Sequence, residues 1–172
     1  MKTKIGDIIL YKDGKSWTSR TIRKLTNSKY NHAGIYVGNG YILEALIKGV
    51  RLTNVTNPDT YKGIDRYRLK SGQTILKSKI MKIATKYLDR PYSKWDIVKI
   101  WLYLKTGIMF KRQTKHLICS ETVALVYRDL GLDLFPKVNL DYVTPESFAI
   151  SNKLHKVWGW TDGRGRFLIV KH

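Results

Sequence analysis

NHAGIYVGNGYILEA, residues 31–45, reads as two β-rich runs folded back on each other around Gly38-Asn39-Gly40. In the first run, Ala33, Ile35 and Val37 alternate onto one face, and His32, Gly34 and Tyr36 take the other. Gly34 leaves space beside His32 for a neighbouring side chain. The turn decides where Glu44 points. A three-residue loop, Gly38-Asn39-Gly40, pairs Val37 with Tyr41 and Gly34 with Glu44, which sets Glu44 diagonally from His32 on one face. A two-residue loop, Asn39-Gly40, shifts the register and turns Glu44 to the opposite face. Both registers are open from the sequence.

Further strands are expected on either side of this hairpin. Asp7–Lys12 is a short apolar run, and Val50–Val55 and Ile64–Leu69 follow, with Asn57-Pro58-Asp59 as a turn between them. Ser16–Leu25 reads as a basic helix. The middle of the chain has helical spacing. Leu76, Ile80, Ile83, Ala84 and Tyr87 make one stripe, and Ser93–Lys105 is a second helix with Ser93 and Asp96 resembling a capping box. A third helix starts near Cys119 and stops at Gly131. Thr144-Pro145-Glu146 opens a short fourth. Lys156–Trp160 and Phe167–Val170 are candidates to close the sheet. The expected class is α+β, an antiparallel sheet packed with helices.

The chain has one cysteine, so no internal disulfide forms. Counting back from the stripe Val123, Val126, Tyr127 and Leu130 puts Cys119 on the core side of its helix, in the first turn. Two readings are open there. One is an inert buried thiol. The other is a nucleophile whose thiolate is favoured by the helix N-terminus, with the same N–H groups available to an oxyanion. Of the four histidines, His172 is terminal, His155 precedes a strand and His116 is near Cys119 along the chain. His32, at a strand start beside a glycine, is the candidate base. Glu44 is either its orienting carboxylate or a surface acid. The lone cysteine and scattered histidines give no zinc-ligand spacing, so no metal or other cofactor is expected.

At 172 residues with 43% hydrophobic side chains, residues 1–172 are expected to form one domain with one core. Thirty-two Lys and Arg against 13 Asp and Glu give a formal net charge of +19. Such a surplus draws polyanions: an anionic polymer, a membrane surface or nucleic acid. The cations are spread along the chain with no familiar nucleic-acid signature, so docking to an anionic surface is expected and sequence-specific nucleic-acid recognition is not. Gly6 and Asp7 interrupt the N-terminus before an apolar leader develops, and the apolar run Ile97–Tyr103 is broken by Lys99. Both features point to a cytoplasmic chain.

Several of these segments occur together in one order. Gly6-Asp7-Ile8-Ile9-Leu10, Asn31-His32-Ala33-Gly34-Ile35-Tyr36, Leu43-Glu44-Ala45 and Cys119-Ser120-Glu121 resemble the circularly permuted NlpC/P60 proteins of the YiiX type. Arg90-Pro91-Tyr92 and Val143-Thr144-Pro145-Glu146 also resemble segments of that family. The resemblance runs from about residue 6 to residue 151. It implies a permuted papain-like fold, in which the His strand precedes the Cys helix. It also implies Cys119 as nucleophile, His32 as base and a polar third residue matched by Glu44. The chain departs from the pattern at Asp89, where a glycine is usual, and at Ser93, where an aspartate is. The function implied is a cysteine hydrolase cleaving an amide in a peptide or cell-wall peptide through an acyl-enzyme. Two other functions use the same features. One is a lipid-directed thioesterase or acyltransferase, with Trp95, Ile97, Val98, Ile100, Trp101 and Leu104 lining an acyl pocket. The other is a basic, non-catalytic module that binds polyanions.

Overall fold

A computed structural model describes residues 2–12, 23, 28–55, 63–108 and 116–159. Six strands form one antiparallel sheet: β1 Ile8–Tyr11, β2 His32–Gly38, β3 Tyr41–Leu46, β4 Gly49–Asn54, β5 Ile64–Leu69 and β6 Leu154–Gly159. Their spatial order is β4-β3-β2-β1-β5-β6. Four helices are described: α1 Lys77–Thr85, α2 Lys94–Thr106, α3 Cys119–Asp129 and α4 Pro145–Ala149. The class is the α+β one read from the sequence. The expected Ser16–Leu25 helix, the Asn57-Pro58-Asp59 turn, the Phe167–Val170 strand and His172 lie outside the described residues.

The alternation along the strands divides the apolar residues between the two sheet faces. Ile8, Leu10, Ala33, Ile35, Val37, Leu43 and Ala45 belong to the larger core, with Val123, Val126 and Tyr127 of α3 and Ile80 and Ala84 of α1. Ile9, Ile42, Val55 and Ile64 make a smaller cluster, joined by Tyr11 and Tyr36. Helix α3 packs across β2 and β3, and α1 packs against α3 and β2. The Tyr127 hydroxyl donates to the Gly6 carbonyl, which ties α3 to the segment leading into β1.

The hairpin does what neither register reading anticipated. The loop has two residues, Asn39 at φ 53° and Gly40 at φ 77°, the left-handed pair that suits a tight hairpin. Yet Gly34 still pairs with Glu44. The register shifts between Tyr36, opposite Ile42, and Gly38, opposite Tyr41, so Val37 enters β2 as an extra residue. This bulge absorbs the one-residue slip that a two-residue loop imposes. Val37 keeps its place in the larger core.

Helix boundaries follow local chemistry. Ser93 caps α2, its side chain accepting from the Asp96 N–H at 3.1 Å, and Gly107 at φ 71° ends the helix. Pro145 occupies the first turn of α4 with Thr144 as N-cap. One expected core position fails: Leu76 is the N-cap of α1 and stands 65% exposed, whereas Ile80, Ile83, Ala84 and Tyr87 are buried. The helical stripe begins one turn later because residue 76 is extended and does not share the helical period.

Gly34 is the tightest point of the β2–β3 pair near the site. A Cβ there would stand 2.6 Å from Ile42 Cγ2 and 3.4 Å from the Leu43 carbonyl oxygen. Ile42 is β-branched and buried and has little freedom to move aside. Gly34→Ala is expected to destabilise the fold by about 1–3 kcal/mol. Urea unfolding will read this as a lower midpoint with an unchanged slope.

Candidate active site

Two element ends meet at the site. His32 is the first residue of β2, and Cys119 is the first residue of α3. The His32 imidazole interacts with both candidate partners. Its Nε2 lies 2.7 Å from Glu44 Oε2, and the Cys119 thiol is close enough to the ring for each group to shift the other's titration. Glu44 takes Nε2, which leaves Nδ1 as the ring nitrogen not held by the carboxylate. The backbone N–H groups of Ala33 and Ser120 also favour charge on sulfur. Among the described residues, the imidazole at the thiol is therefore His32 and not His116.

The residue that caps α3 contributes to this arrangement. Ile118 is the N-cap and has no side-chain oxygen to claim the first-turn N–H groups. Glu121 reaches back to the Ile118 N–H at 3.4 Å. The Ser120 hydroxyl is turned away and donates to the Val143 carbonyl at 2.6 Å. The Ser120 N–H favours charge on the Cys119 sulfur.

Cys119 is 5% exposed. Burial alone raises a thiol's pKa, but the His32 charge and the Ala33 and Ser120 N–H bonds outweigh it, so Cys119 is held below the ordinary thiol value. Burial works against protonated His32 in the same way. The Cys119 sulfur and the Glu44 carboxylate overcome it and push the imidazole up to about 10. Glu44 is likewise desolvated. Its bond to His32, the Thr53 hydroxyl and the nearby Arg51 charge keep it below the usual carboxylate range. All three shifts favour the charged forms: thiolate at Cys119, imidazolium at His32 and carboxylate at Glu44.

Three further residues shape the site, and the sequence reading gave none of them a role there. Thr53 of β4 donates from Oγ1 to Glu44 Oε1 at 2.6 Å, which fixes the carboxylate's second oxygen. Tyr11 pairs with His32 across β1 and β2, with ring centroids 5.2 Å apart. Tyr92 lies near the thiol, where burial and the Cys119 charge raise its phenol pKa. Tyr92 is held by a bridge to Leu117, two residues before the cysteine. Its family segment drew notice in the sequence, but its position beside sulfur is a tertiary fact. The two departures from the family pattern lie in the same segment. Asp89 adopts φ 61°, a left-handed conformation natural to glycine and tolerated by Asp. Ser93 is an effective N-cap, a role an aspartate also fills.

Residues 2–158 match the family described as permuted papain-like amidase enzyme, YaeF/YiiX, C92 family. Among solved structures, the chain is similar to the metalloprotein YiiX from Escherichia coli O157:H7. The TM-score is 0.67 and the identity 22%, over 94% of this chain and 100% of that one. At this identity the likeness is one of fold. No curated protein matches the chain. Among the described residues, no cluster of three or more His, Cys, Asp or Glu side chains is arranged to hold a metal ion. The donor set around Cys119 is engaged internally instead, with His32 bonded to Glu44 and interacting electrostatically with the thiol.

The electrostatics set an expected pH profile. Iodoacetamide alkylation of Cys119 should rise through an acid limb below the roughly 8.5 of a free thiol. In His32→Ala the lowering charge is gone and burial remains, so the limb should move to higher pH. Rates measured from pH 4 to pH 10 in both proteins check this. Coincident profiles would rule out an ion pair at the site.

Proposed function

Because the chain belongs to the permuted papain-like amidases of the YaeF/YiiX, C92 family, we propose that it hydrolyses an amide bond in a peptide or cell-wall peptide, using Cys119 as nucleophile, His32 as acid and base, and Glu44 to orient His32. The observation that carries this reading is the His32 ring, bonded to the Glu44 carboxylate and placed where it and the Cys119 thiol shift each other's titration.

In the proposed cycle the Cys119 thiolate attacks the carbonyl carbon. The C=O π pair moves to oxygen, which the N–H groups at the start of α3 receive. As the tetrahedral intermediate collapses, the C–N bond breaks and the imidazolium of His32 gives its proton to the departing amine. A thioester and a neutral imidazole remain. Water then attacks the thioester carbon and gives its proton to His32. The C–S bond breaks, the acid product leaves, and the thiolate and imidazolium are restored. Glu44 accepts from Nε2 throughout, which keeps Nδ1 aimed at the reacting atoms and stabilises the ring when it is charged. Thr53 holds Glu44 in that role through the bond to Oε1. No step in this cycle requires a cofactor.

The cycle ranks the substitutions. Cys119→Ser should abolish hydrolysis of peptide amides. His32→Ala should cost about 10²–10⁴-fold in kcat, the range for losing a general acid and base. Glu44→Gln keeps shape and a hydrogen bond but loses the charge, so its loss should be smaller. Its alkaline limb should also move to lower pH, because the imidazolium loses its anionic partner. Steady-state turnover of a panel of peptide amides against pH tests this order. Full activity in Cys119→Ser would rule out the thiol mechanism.

A further inference from the structure

Helix α2 is apolar on more than one face. Its packed side is Asp96, Ile100 and Tyr103. Ile100 clusters with Ile118 and Tyr142, and the Tyr103 and Tyr142 rings lie 4.0 Å apart. At 3.6 residues per turn, the opposite side carries Trp95, Val98, Leu102 and Lys105. Trp95 is 76% exposed and Val98 is 37% exposed. A tryptophan and a valine facing water, with half-buried Leu102 on the next turn, on a helix that already has a packed side call for a partner.

The stripe is tied to the active-site end of the fold. The segment Asp89–Ser93 leads into α2. On one side it bonds to the start of β4: Asp89 N–H to the Val50 carbonyl and Val50 N–H to the Arg90 carbonyl, both 2.9 Å. The turn before β4 presents Ile47, 58% exposed, beside exposed Lys48. On the other side the segment bonds to Leu117, with Leu117 N–H to the Pro91 carbonyl at 2.9 Å and Ser93 N–H to the Leu117 carbonyl at 3.3 Å. Leu117 is two residues from Cys119. Exposed Ile47 and Trp95, with Lys48 and Lys105, therefore sit on elements fastened to a segment that passes near the thiol.

The chemistry of this face selects among occupants. A polyanionic polymer engages lysines but gives Trp95, Val98 and Ile47 nothing apolar to contact. Nucleic-acid bases stack on aromatic rings, and aliphatic Val98, Leu102 and Ile47 offer no such surface. A second copy brings another +19 charge against the first. An anionic lipid bilayer satisfies both halves of the pattern. Its headgroups meet the lysines, and its interface takes tryptophan and aliphatic side chains. Among the described residues, no helix is long and apolar enough to cross a membrane, so the contact is one of surface. We propose that the Trp95–Val98–Leu102 face of α2, with the Ile47-Lys48 turn, docks on an anionic bilayer and turns the Cys119 end of the fold toward it.

Docking does not depend on bond cleavage, so the test uses full-length Cys119→Ser and separates the two ideas. The protein is sedimented with vesicles of phosphatidylcholine plus phosphatidylglycerol, and with phosphatidylcholine alone. Binding is expected to the mixed vesicles and to be weak on the neutral ones. Adding Trp95→Asp, or in a separate protein Val98→Asp, should weaken binding about tenfold or more. Ile150→Asp changes the charge equally at a residue that is 78% exposed. Ile150 follows α4, which packs beside β6 at the other edge of the sheet, so this change should leave binding within about twofold. Matching thermal unfolding of the variants keeps the comparison one of surfaces. No binding to mixed vesicles overturns the proposal. So does equal loss in the Trp95 and Ile150 variants, which would mean charge alone. So does a dimer that Trp95→Asp splits without any vesicle binding, which would assign the face to a second copy.

Discussion

The pairing of Gly34 with Glu44 across β2 and β3 sets which side chains share a face with His32. Side chains alternate along a strand, so a slip of one residue would carry Glu44 to the other side of the sheet. The Asn39-Gly40 turn, taken alone, imposes that slip. Val37 removes it by entering β2 as an extra residue opposite no partner of its own. The bond from His32 Nε2 to Glu44 Oε2 follows from this backbone adjustment. Gly34 supports it by letting Ile42 pack against the strand beside the imidazole.

The charge state of the site follows from where the three groups are buried. A thiol, an imidazole and a carboxylate each avoid ionisation when removed from water. Placed in contact they compensate one another. Sulfur and Glu44 hold the proton on His32, His32 holds the charge on sulfur, and Thr53 and Arg51 help hold the charge on Glu44. Backbone N–H groups of Ala33 and Ser120 add to the thiolate's stability. An apolar N-cap at Ile118 is consistent with this, because a capping Ser or Asp would compete for the same first-turn donors.

The rest of the fold balances its buried charges in pairs away from the site. Asp65 is buried against Lys12 at 2.7 Å, Lys156 at 2.9 Å and the Tyr30 hydroxyl at 2.6 Å. Asp7 meets Arg68 through two bonds of 2.7 Å. These pairs fasten β1 to β5 and β5 to β6, whereas the site lies on the β1–β2–β3 side. The sheet therefore divides into an edge that secures the fold and an edge that serves the chemistry.

Much of this was legible in the sequence because its causes are local. The β2 strand shows in the alternation of apolar residues, and the other strands from β1 to β5 show in short apolar or β-rich runs. The caps at Ser93 and Thr144 show in residue type, and the core-side, first-turn position of Cys119 follows from the stripe of α3. Each depends only on near neighbours and a period of 2 or 3.6. The order of motifs, with His32 ahead of Cys119, carried the family resemblance. What the sequence did not decide was the register, because turn length and bulge trade off and only packing of Val37 into the larger core selects the pair. Nor did it bring Thr53, Tyr11 and Tyr92 to the site. Each reaches it from a different element, through strand pairing or a bridge between distant segments, and no local pattern in the chain records such contacts.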